Sequence, residues 1–364
     1  MQWKRMDWPL LVDSLNLLGV PAVPITLAID EQGIIRAVNP PLDEASQFLK
    51  EFLEQTHVAP GASPPLRSDR PDFERLRPLA ASATAASWRS YADSLFLWGG
   101  QDRISEAIEA YQRSLELAPE DAPTHFRLGV AYRKRYDSGR RHPDDFQSAI
   151  SHWSTALDLD PNQYIWRRRI EQYGPRLSKP YSFYDWINTA REDIRGRGET
   201  PVSLAVEPAG AEFAAPVKHF PAAATPAREA DPRARILRDQ EDFIRVEITA
   251  VPASIAPGSS ARFHIAFRPN LQKKAHWNNE VDNLVLWISP PEGWLPESRY
   301  FTISNPPQPV SQEVRLMELE VKSPEDAQPG LVIIPGYALY YVCEDVNGIC
   351  LYRRQDIKLK IKVR

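Results

Sequence analysis

The spacing of apolar residues takes three forms along the chain, and each form predicts a different kind of element. Near the start, apolar runs at Ile25–Ile29 and Ile34–Val38 flank a turn at Gly33, which predicts a β-hairpin. Leu42–Gln55 then carries apolar residues three and four positions apart, the spacing of an amphipathic helix. Residues 1–58 are therefore expected to form a small α/β segment.

From Trp88 onward the pattern becomes that of paired helices. Two units, ending at Pro119 and Pro161, place large, small and large residues where two helices would interdigitate. The positions are Tyr91, Leu95, Trp98, Ala107, Tyr111 and Ser114 in the first unit, and Leu128, Gly129, Tyr132, Ala149, Trp153 and Ala156 in the second. These units resemble tetratricopeptide repeats. The resemblance implies an all-α array with a groove for a protein partner, capped by a degenerate helix pair over 164–173 and 181–195.

In the last third of the chain the period becomes two, which predicts β-strands. Strands are expected at Phe243–Ile248, Ala261–Phe267, Leu284–Ile288, Val314–Val321, Leu339–Val342 and Ile357–Val363. In the last of these, Ile357, Leu359, Ile361 and Val363 alternate with Lys358, Lys360, Lys362 and Arg364, so one face is core and the other is charged. Short strands divided by turn residues predict an all-β sandwich.

Proline marks the predicted domain boundaries. The chain has 34 prolines among 364 residues, and eleven of them lie in two segments, 59–86 and 196–235, which we interpret as linkers. The expected organisation is multidomain: an α/β segment over 1–58, all-α helix pairs over 87–195, and an all-β sandwich over 236–364.

Charge and hydropathy narrow the classes of function. The 44 basic and 48 acidic residues leave a net charge of −4, which does not favour binding to nucleic acids or polybasic binding to membranes. Either kind of binding would have to depend on a local group of basic residues. The longest mainly apolar run, Leu17–Ile29, is too short to span a bilayer. The first residues lack the apolar stretch of a signal peptide, so a cytoplasmic location is expected for the chain as written. The location of a longer form is left open.

The hairpin region resembles the second half of a thioredoxin-like or peroxiredoxin-like domain. Gly19–Thr26 is similar to the cis-proline loop of that family, which implies Val23 and Pro24 as the loop residues. The family carries its Cys-x-x-Cys helix before this region, whereas this chain has no cysteine before Cys343. We therefore expect a chain that begins at an internal methionine. Its full-length form would be a thiol oxidoreductase or peroxidase.

Cys343 and Cys350 are the only cysteines, and they flank an Asn347-Gly348 turn. A tight two-residue turn would place Asp345 opposite Cys350 and leave the cysteines roughly 7 Å or more apart, too far for an unstrained bridge. A four-residue loop over 345–348 would place the cysteines directly opposite each other, within reach of a disulfide. The hairpin register therefore decides the chemistry of the pair.

The β domain with this pair resembles the immunoglobulin-like N-terminal domain of thiol-disulfide interchange reductases. Tyr340–Cys343 and Asn347–Cys350 carry the resemblance. It implies disulfide exchange with a thioredoxin-like protein. From the residues alone, a structural bridge, a redox-active pair and two reduced thiols all stay open. No second Cys/His pair has the spacing of a zinc finger, and the sequence contains no motif of a catalytic triad or a phosphate-binding loop. We therefore expect no metal or cofactor.

Basic runs in the repeat region are the remaining candidates for binding. Arg133, Arg135 and Arg167–Arg169 could hold an acidic peptide or a C-terminal carboxylate of a partner. The alternative is a solvated helix face neutralised by nearby carboxylates. The leading hypothesis is a protein-interaction scaffold of the thiol-redox class. A fragment of a redoxin enzyme and a repeat scaffold without a redox role are the alternatives.

Overall fold

The computed structural model contains both helices and β-sheets. It describes residues 2, 4–5, 13–21, 25–31, 33–40, 47–56, 71–81, 84–175, 177–178, 186–202, 215–216, 220, 229–344 and 348–364. The chain divides into two compact units. One comprises Met1–Leu10, Tyr132–Thr155 and Arg168–Arg364, and the other comprises Leu11–Ala131 and Ala156–Arg167. The domain boundaries expected from the sequence stay predictions.

An antiparallel strand pair forms where the sequence predicts a hairpin. Strand β1 (Leu27–Ile29) pairs with β2 (Ile35–Val38). Helix α1 (Gln47–Glu54) begins later than predicted, and residues 41–46 are not among those described. No residue of α1 is buried, so its predicted apolar face has no core to cover within the described chain.

A series of helices occupies the region of the predicted repeats. Helix α2 (Phe73–Ala81) precedes them and lies within segment 59–86, so part of the segment expected to be a linker is helical. The helices that follow are α3 (Ala85–Trp98), α4 (Ile104–Leu117), α5 (Ala122–Tyr136), α6 (Asp145–Leu159), α7 (Tyr164–Glu171) and α8 (Trp186–Gly196). Thr84 caps α3 by accepting a hydrogen bond from the amide of Ser87. Within the described ranges, no helix has the length and apolar character needed to cross a bilayer.

Five of the six positions that the repeat spacing marks in α3 and α4 are buried, and the sixth, Trp98, is 53% exposed. Leu95, Ala107 and Tyr111 are fully buried. The Tyr111 hydroxyl donates to Asp93 at 2.7 Å, and Arg127 pairs with the other oxygen of that carboxyl at 2.5 Å. Burial raises the pKa of Asp93, although Arg127 and Tyr111 act against this rise. The Asp93 carboxylate is therefore satisfied by Tyr111 and Arg127, whereas the Nε of Arg127 is buried without a hydrogen-bond partner.

The C-terminal region contains two β-sheets. The strands are β5 (Ile244–Val251), β6 (Ser254–Ile255), β7 (Ser260–Pro269), β8 (His276–Asn278), β9 (Leu284–Ile288), β10 (Leu295–Pro296), β11 (Tyr300–Ile303), β12 (Val310–Ser311), β13 (Arg315–Lys322), β14 (Gly330–Cys343) and β15 (Cys350–Val363). The first sheet has the order β10-β13-β7-β5. The second has the order β11-β9-β14-β15-β6, and β8 pairs with both β14 and β12. A further short pair joins β3 (Leu177–Ser178) to β4 (Ala215–Pro216).

One apolar core joins the two sheets into a sandwich. Phe263 and Leu319 of the first sheet and Leu286 and Leu359 of the second belong to the same buried cluster. The alternation in β15 has the predicted sense, because Ile357, Leu359, Ile361 and Val363 are buried while the intervening lysines are exposed. The long β14–β15 ladder fixes this register and carries it to the cysteines at its far end.

Candidate functional site

A disulfide joins Cys343 and Cys350 at the end of the β14–β15 ladder. The two residues are direct register partners with Cα atoms 4.0 Å apart. This is the register of the four-residue loop, in which the amide of Glu344 donates to the carbonyl of Ile349 at 3.4 Å. Asp345, Val346 and Asn347 are outside the described residues. Of the alternatives left open by the sequence, the pair of free thiols is therefore not the state of this structure.

The two cysteines differ in access to solvent. Cys343 is 2% exposed, and its strand is bordered on the other side by β8, where His276 is its register partner. Cys350 is exposed. On the other edge of β15, β6 pairs at Lys362 and Val363 and residues 237–239 pair at Arg354, so neither described pairing reaches Cys350. A reagent or protein that approaches the bridge from solvent thus meets the Cys350 side.

Tyrosines support the hairpin beneath the disulfide. Tyr341 and Tyr352 are register partners, and their rings stack with centroids 4.3 Å apart. Burial, followed by the proximity of Tyr341, raises the pKa of Tyr352 to about 12, so the Tyr352 hydroxyl is neutral at pH 7. Tyr340 is buried on the core side and donates its hydroxyl proton to Asp239 at 2.9 Å. Stacking and this hydrogen bond hold the strand ends in place.

Two lysines stand at the same end of the sheet. A surface cavity of about 410 Å³ is lined by Gln272, Lys273, Lys274, Glu344 and Gly348. Glu344 follows Cys343 directly in the sequence. Lys274 lies two residues before His276, which is the register partner of Cys343. Lys273 also lies 3.7 Å from Glu241. The cavity thus brings two lysines and the Glu344 carboxylate to the end of the sheet where the disulfide lies.

The predicted partner-binding arginines do not form one surface. Arg133 lies over the rings of Phe146 and Tyr173, 4.2 and 5.0 Å from their centroids, and also pairs with Asp137 at 2.8 Å. Arg169 lies 5.8 Å from the centroid of Trp153. Burial lowers the pKa of Arg169, Tyr173 acts against this, and the charge of Arg133 lowers it further. Arg133 and Arg169 therefore form a cationic, aromatic-walled pair.

The other three arginines are engaged locally. Arg135 is buried and makes a two-point ion pair with Asp145, at 2.6 and 3.0 Å, so it is not part of an exposed partner surface. Arg168 pairs with Glu171 at 2.8 Å. Arg167 is exposed and donates to the carbonyl of Pro161 at 3.1 Å. Three consecutive arginines thus have three different environments.

Sequence reasoning missed the aromatic side chains around the arginine pair and the lysines beside the disulfide. Phe146 and Trp153 lie seven residues apart on α6, whereas Tyr173 follows α7, and the sequence gives no sign that these rings contact arginines. Lys273 and Lys274 lie near the cysteines only through the pairing of β8 with β14. Val23 and Pro24, the predicted cis-proline loop, fall in a part of the chain that is not described. Among the described residues, no group of His, Cys, Asp and Glu side chains has the arrangement of a metal site.

Comparison with known proteins gives partial structural likenesses. No family model and no curated protein matches the chain. Among solved structures, the sporulation control protein Spo0M from Bacillus subtilis matches 34% of this chain at 12% identity, with a TM-score of 0.17. The chain spans about half of that protein, since 49% of Spo0M is covered.

Two further structures are similar over about a third of the chain. AvmM, which catalyses macrocyclization in alchivemycin A biosynthesis, has 17% identity over 33% of this chain and 89% of its own, with a TM-score of 0.17. AggA, the major subunit of aggregative adherence fimbriae type I from Escherichia coli, has 13% identity over 33% of this chain and 95% of its own, with a TM-score of 0.18. Likenesses at these scores carry no argument about function.

Proposed function

We propose that this chain is a protein-interaction scaffold of the thiol-redox class. In this proposal the helices form tetratricopeptide-like pairs that recruit a protein, and an immunoglobulin-like sandwich exchanges its disulfide with a thioredoxin-like partner. One observation carries the proposal: the Cys343–Cys350 bridge ends a β-hairpin with Cys350 exposed and Cys343 buried. In this proposal the exposed Cys350 is the residue that the thiolate of a partner approaches.

The exchange reaction follows from this difference in exposure. A thiolate of the partner attacks Sγ of Cys350, the S–S bond breaks, and Cys343 leaves with the bonding electron pair as a thiolate. A mixed disulfide now joins Cys350 to the partner. The partner's second thiolate attacks the partner sulfur of this bond, and Cys350 leaves as a thiolate. The partner is oxidised by two electrons, the cysteine pair is reduced by two, and water protonates the released thiolates.

The experiment that tests this step is trapping of the mixed disulfide. The oxidised full chain is mixed with a reduced thioredoxin-like protein whose resolving cysteine is replaced by Ser, so the intermediate cannot be resolved. Peptide mass mapping then identifies the sulfur that was attacked. We expect the adduct on Cys350 at least about tenfold over Cys343, because attack depends on access. Absence of an adduct, or an adduct mainly on Cys343, would contradict the proposal, and a Cys343→Ser/Cys350→Ser variant is the blank.

The recruitment part of the proposal rests on the Arg133 and Arg169 pair. No hydrogen bond or ion pair joins Arg169 to a carboxylate in the described chain, and burial already disfavours its charge. A carboxylate from a partner would relieve that cost. We expect Arg169→Gln to weaken binding of a labelled peptide of alternating Glu and Ala by about tenfold or more in fluorescence anisotropy. Arg113→Gln, at an exposed pair with Glu116, is the matched control and should change it little.

A further inference from the structure

The outward face of the second sheet has one covered end and one open end. At the covered end, Trp287, Tyr337 and Leu339 are buried in a small cluster on which Ile236 packs. At the open end, the same strand β14 presents Leu331 at 64% exposure and Ile333 at 44% exposure. Both sets point away from the sandwich core, because they alternate with core residues such as Ile334 and Ala338.

A row of lysines runs beside these aliphatic residues. The ladder pairs Leu331 with Lys362, Ile333 with Lys360, and Pro335 with Lys358. All three lysines and Pro335 are exposed. We call this set of six residues the basic strip. Successive lysines are two strand positions apart, about 7 Å, which is within the Debye length of roughly 8 Å at physiological salt. Their charges therefore repel one another and favour an anionic ligand.

The charge of the basic strip is not neutralised within the described chain. None of Lys358, Lys360 and Lys362 makes an ion pair or a side-chain hydrogen bond there. Asp356 lies on the same outward face, two positions before Lys358, but Arg238 and Arg354 bind it at 2.7 and 2.8 Å. At the covered end, the charge of Asp356 is thus balanced by arginines. At the open end, three ammonium groups without a described partner lie beside aliphatic side chains.

We propose that the basic strip docks on an anionic lipid surface. Interfaces between proteins are depleted in Lys and enriched in aromatic residues and Arg, whereas the basic strip has lysines, aliphatic side chains and a proline on one sheet face. Lysine stems cover apolar surface while their ammonium groups reach phosphate, and Leu331 and Ile333 can enter the headgroup region between them. The interaction is local, so it is compatible with a chain whose net charge is −4. It does not depend on the cysteine chemistry.

The expected strength follows from the number of lysines. Each lysine near an anionic leaflet contributes about 1 kcal/mol, which is about a fivefold change in partitioning. Three lysines together give a preference on the order of a hundredfold for anionic over neutral vesicles. Because the term is electrostatic, raising the salt concentration weakens the binding.

Vesicle co-sedimentation of the full chain tests the proposal. The probes are phosphatidylcholine vesicles with and without about one third phosphatidylserine. We expect a preference on the order of a hundredfold for the anionic vesicles, and its loss to within a few fold in Lys358→Gln/Lys360→Gln/Lys362→Gln. The control Lys4→Gln/Lys50→Gln/Lys322→Gln changes the net charge equally at exposed or partly exposed sites elsewhere and should retain the preference.

The aliphatic residues and the alternative partner are tested in the same assay. Leu331→Ser/Ile333→Ser should weaken binding to anionic vesicles by several fold, and an unchanged circular dichroism spectrum shows that these exposed changes leave the fold intact. The proposal is overturned if both lysine triples lose binding equally, which would indicate bulk charge alone. It is also overturned if polyglutamate binds in a lysine-dependent way while anionic vesicles do not, which would indicate an acidic protein partner.

Discussion

The ion pair between Arg135 and Asp145 is the interaction whose removal should destabilise the helices most. The side chains are 10% and 2% exposed. Asp145 accepts two hydrogen bonds from the guanidinium, at 3.0 and 2.6 Å, and a third from the amide of His142 at 2.8 Å. It therefore joins the end of α5 to the start of α6 across the intervening loop.

The magnitude of the effect depends on what is left behind. Asp145→Ala leaves the Arg135 guanidinium buried without a counter-charge, and we expect a loss of about 3–5 kcal/mol in the free energy of unfolding. Asp145→Asn keeps an acceptor for His142 and should cost less. Replacing both partners by apolar residues, Arg135→Met/Asp145→Leu, should recover most of the loss because no unpaired charge remains. The exposed pair Arg113–Glu116 is the control, and Glu116→Ala should cost below about 1 kcal/mol.

Urea unfolding followed by circular dichroism of the helices measures these differences. The account requires the order Asp145→Ala, then Asp145→Asn, then the double variant, from the largest loss to the smallest. If Asp145→Ala costs as little as Glu116→Ala, the pair is not buried in solution. In that case Arg135 would return to the set of partner-binding residues.

Three further predictions concern the sandwich and its margins. Burial tends to raise the pKa of Asp231, but the amides of Arg235 and Ile236 and the guanidinium of Arg354 bind its carboxylate and lower the pKa overall. The carboxylate therefore stabilises the fold at pH values above its unfolded pKa of about 3.9. This contribution is lost as the pH falls through the pKa of the folded state. Acid titrations should accordingly show a shallower loss of stability in Asp231→Asn than in the parent, and parallel curves would refute this. Gly336→Ala should destabilise the sandwich by more than about 1 kcal/mol, since its Cβ would lie 2.5 Å from the carbonyl oxygen of Trp287, whereas Gly139→Ala, at an open position, should have little effect in the same melting assay. Tyr340→Phe should cost about 1 kcal/mol through loss of the bond to Asp239, measured by urea unfolding, and a neutral result would mean that this bond is not formed in solution.

The sequence predicts the sandwich strands well because their signal is local. The alternation of Ile357, Leu359, Ile361 and Val363 with lysines specifies both a strand and its buried face. The same periodicity and the turn near Gly348 limit the cysteines to two registers, of which the structure has the one that joins them. The strand β14 begins at Gly330, much earlier than the predicted start at Leu339. The sequence misses this part because Pro335 and Gly336 interrupt the apolar pattern, although the ladder with β15 continues through them.

The candidate site is only partly predictable because its electrostatics depend on distant residues. Arg133, Arg135 and Arg169 look alike in the sequence, yet one stacks on aromatic rings, one is buried against Asp145, and one lies over Trp153. Which of these outcomes applies depends on how the helices pack. The open end of the second sheet is likewise invisible in the sequence, because Leu331 and Leu339 differ only in whether another segment covers them.

The reduction potential of the Cys343–Cys350 bridge tests the central proposal most directly. The native full chain is equilibrated across a series of glutathione or dithiothreitol ratios, and the free thiols are alkylated and counted by intact mass. Because these are the only cysteines, each mass step reports this pair alone. We predict reversible exchange between about −120 and −270 mV, the range of thioredoxin-class proteins. A bridge that stays oxidised below about −300 mV would be a structural staple and would contradict the account.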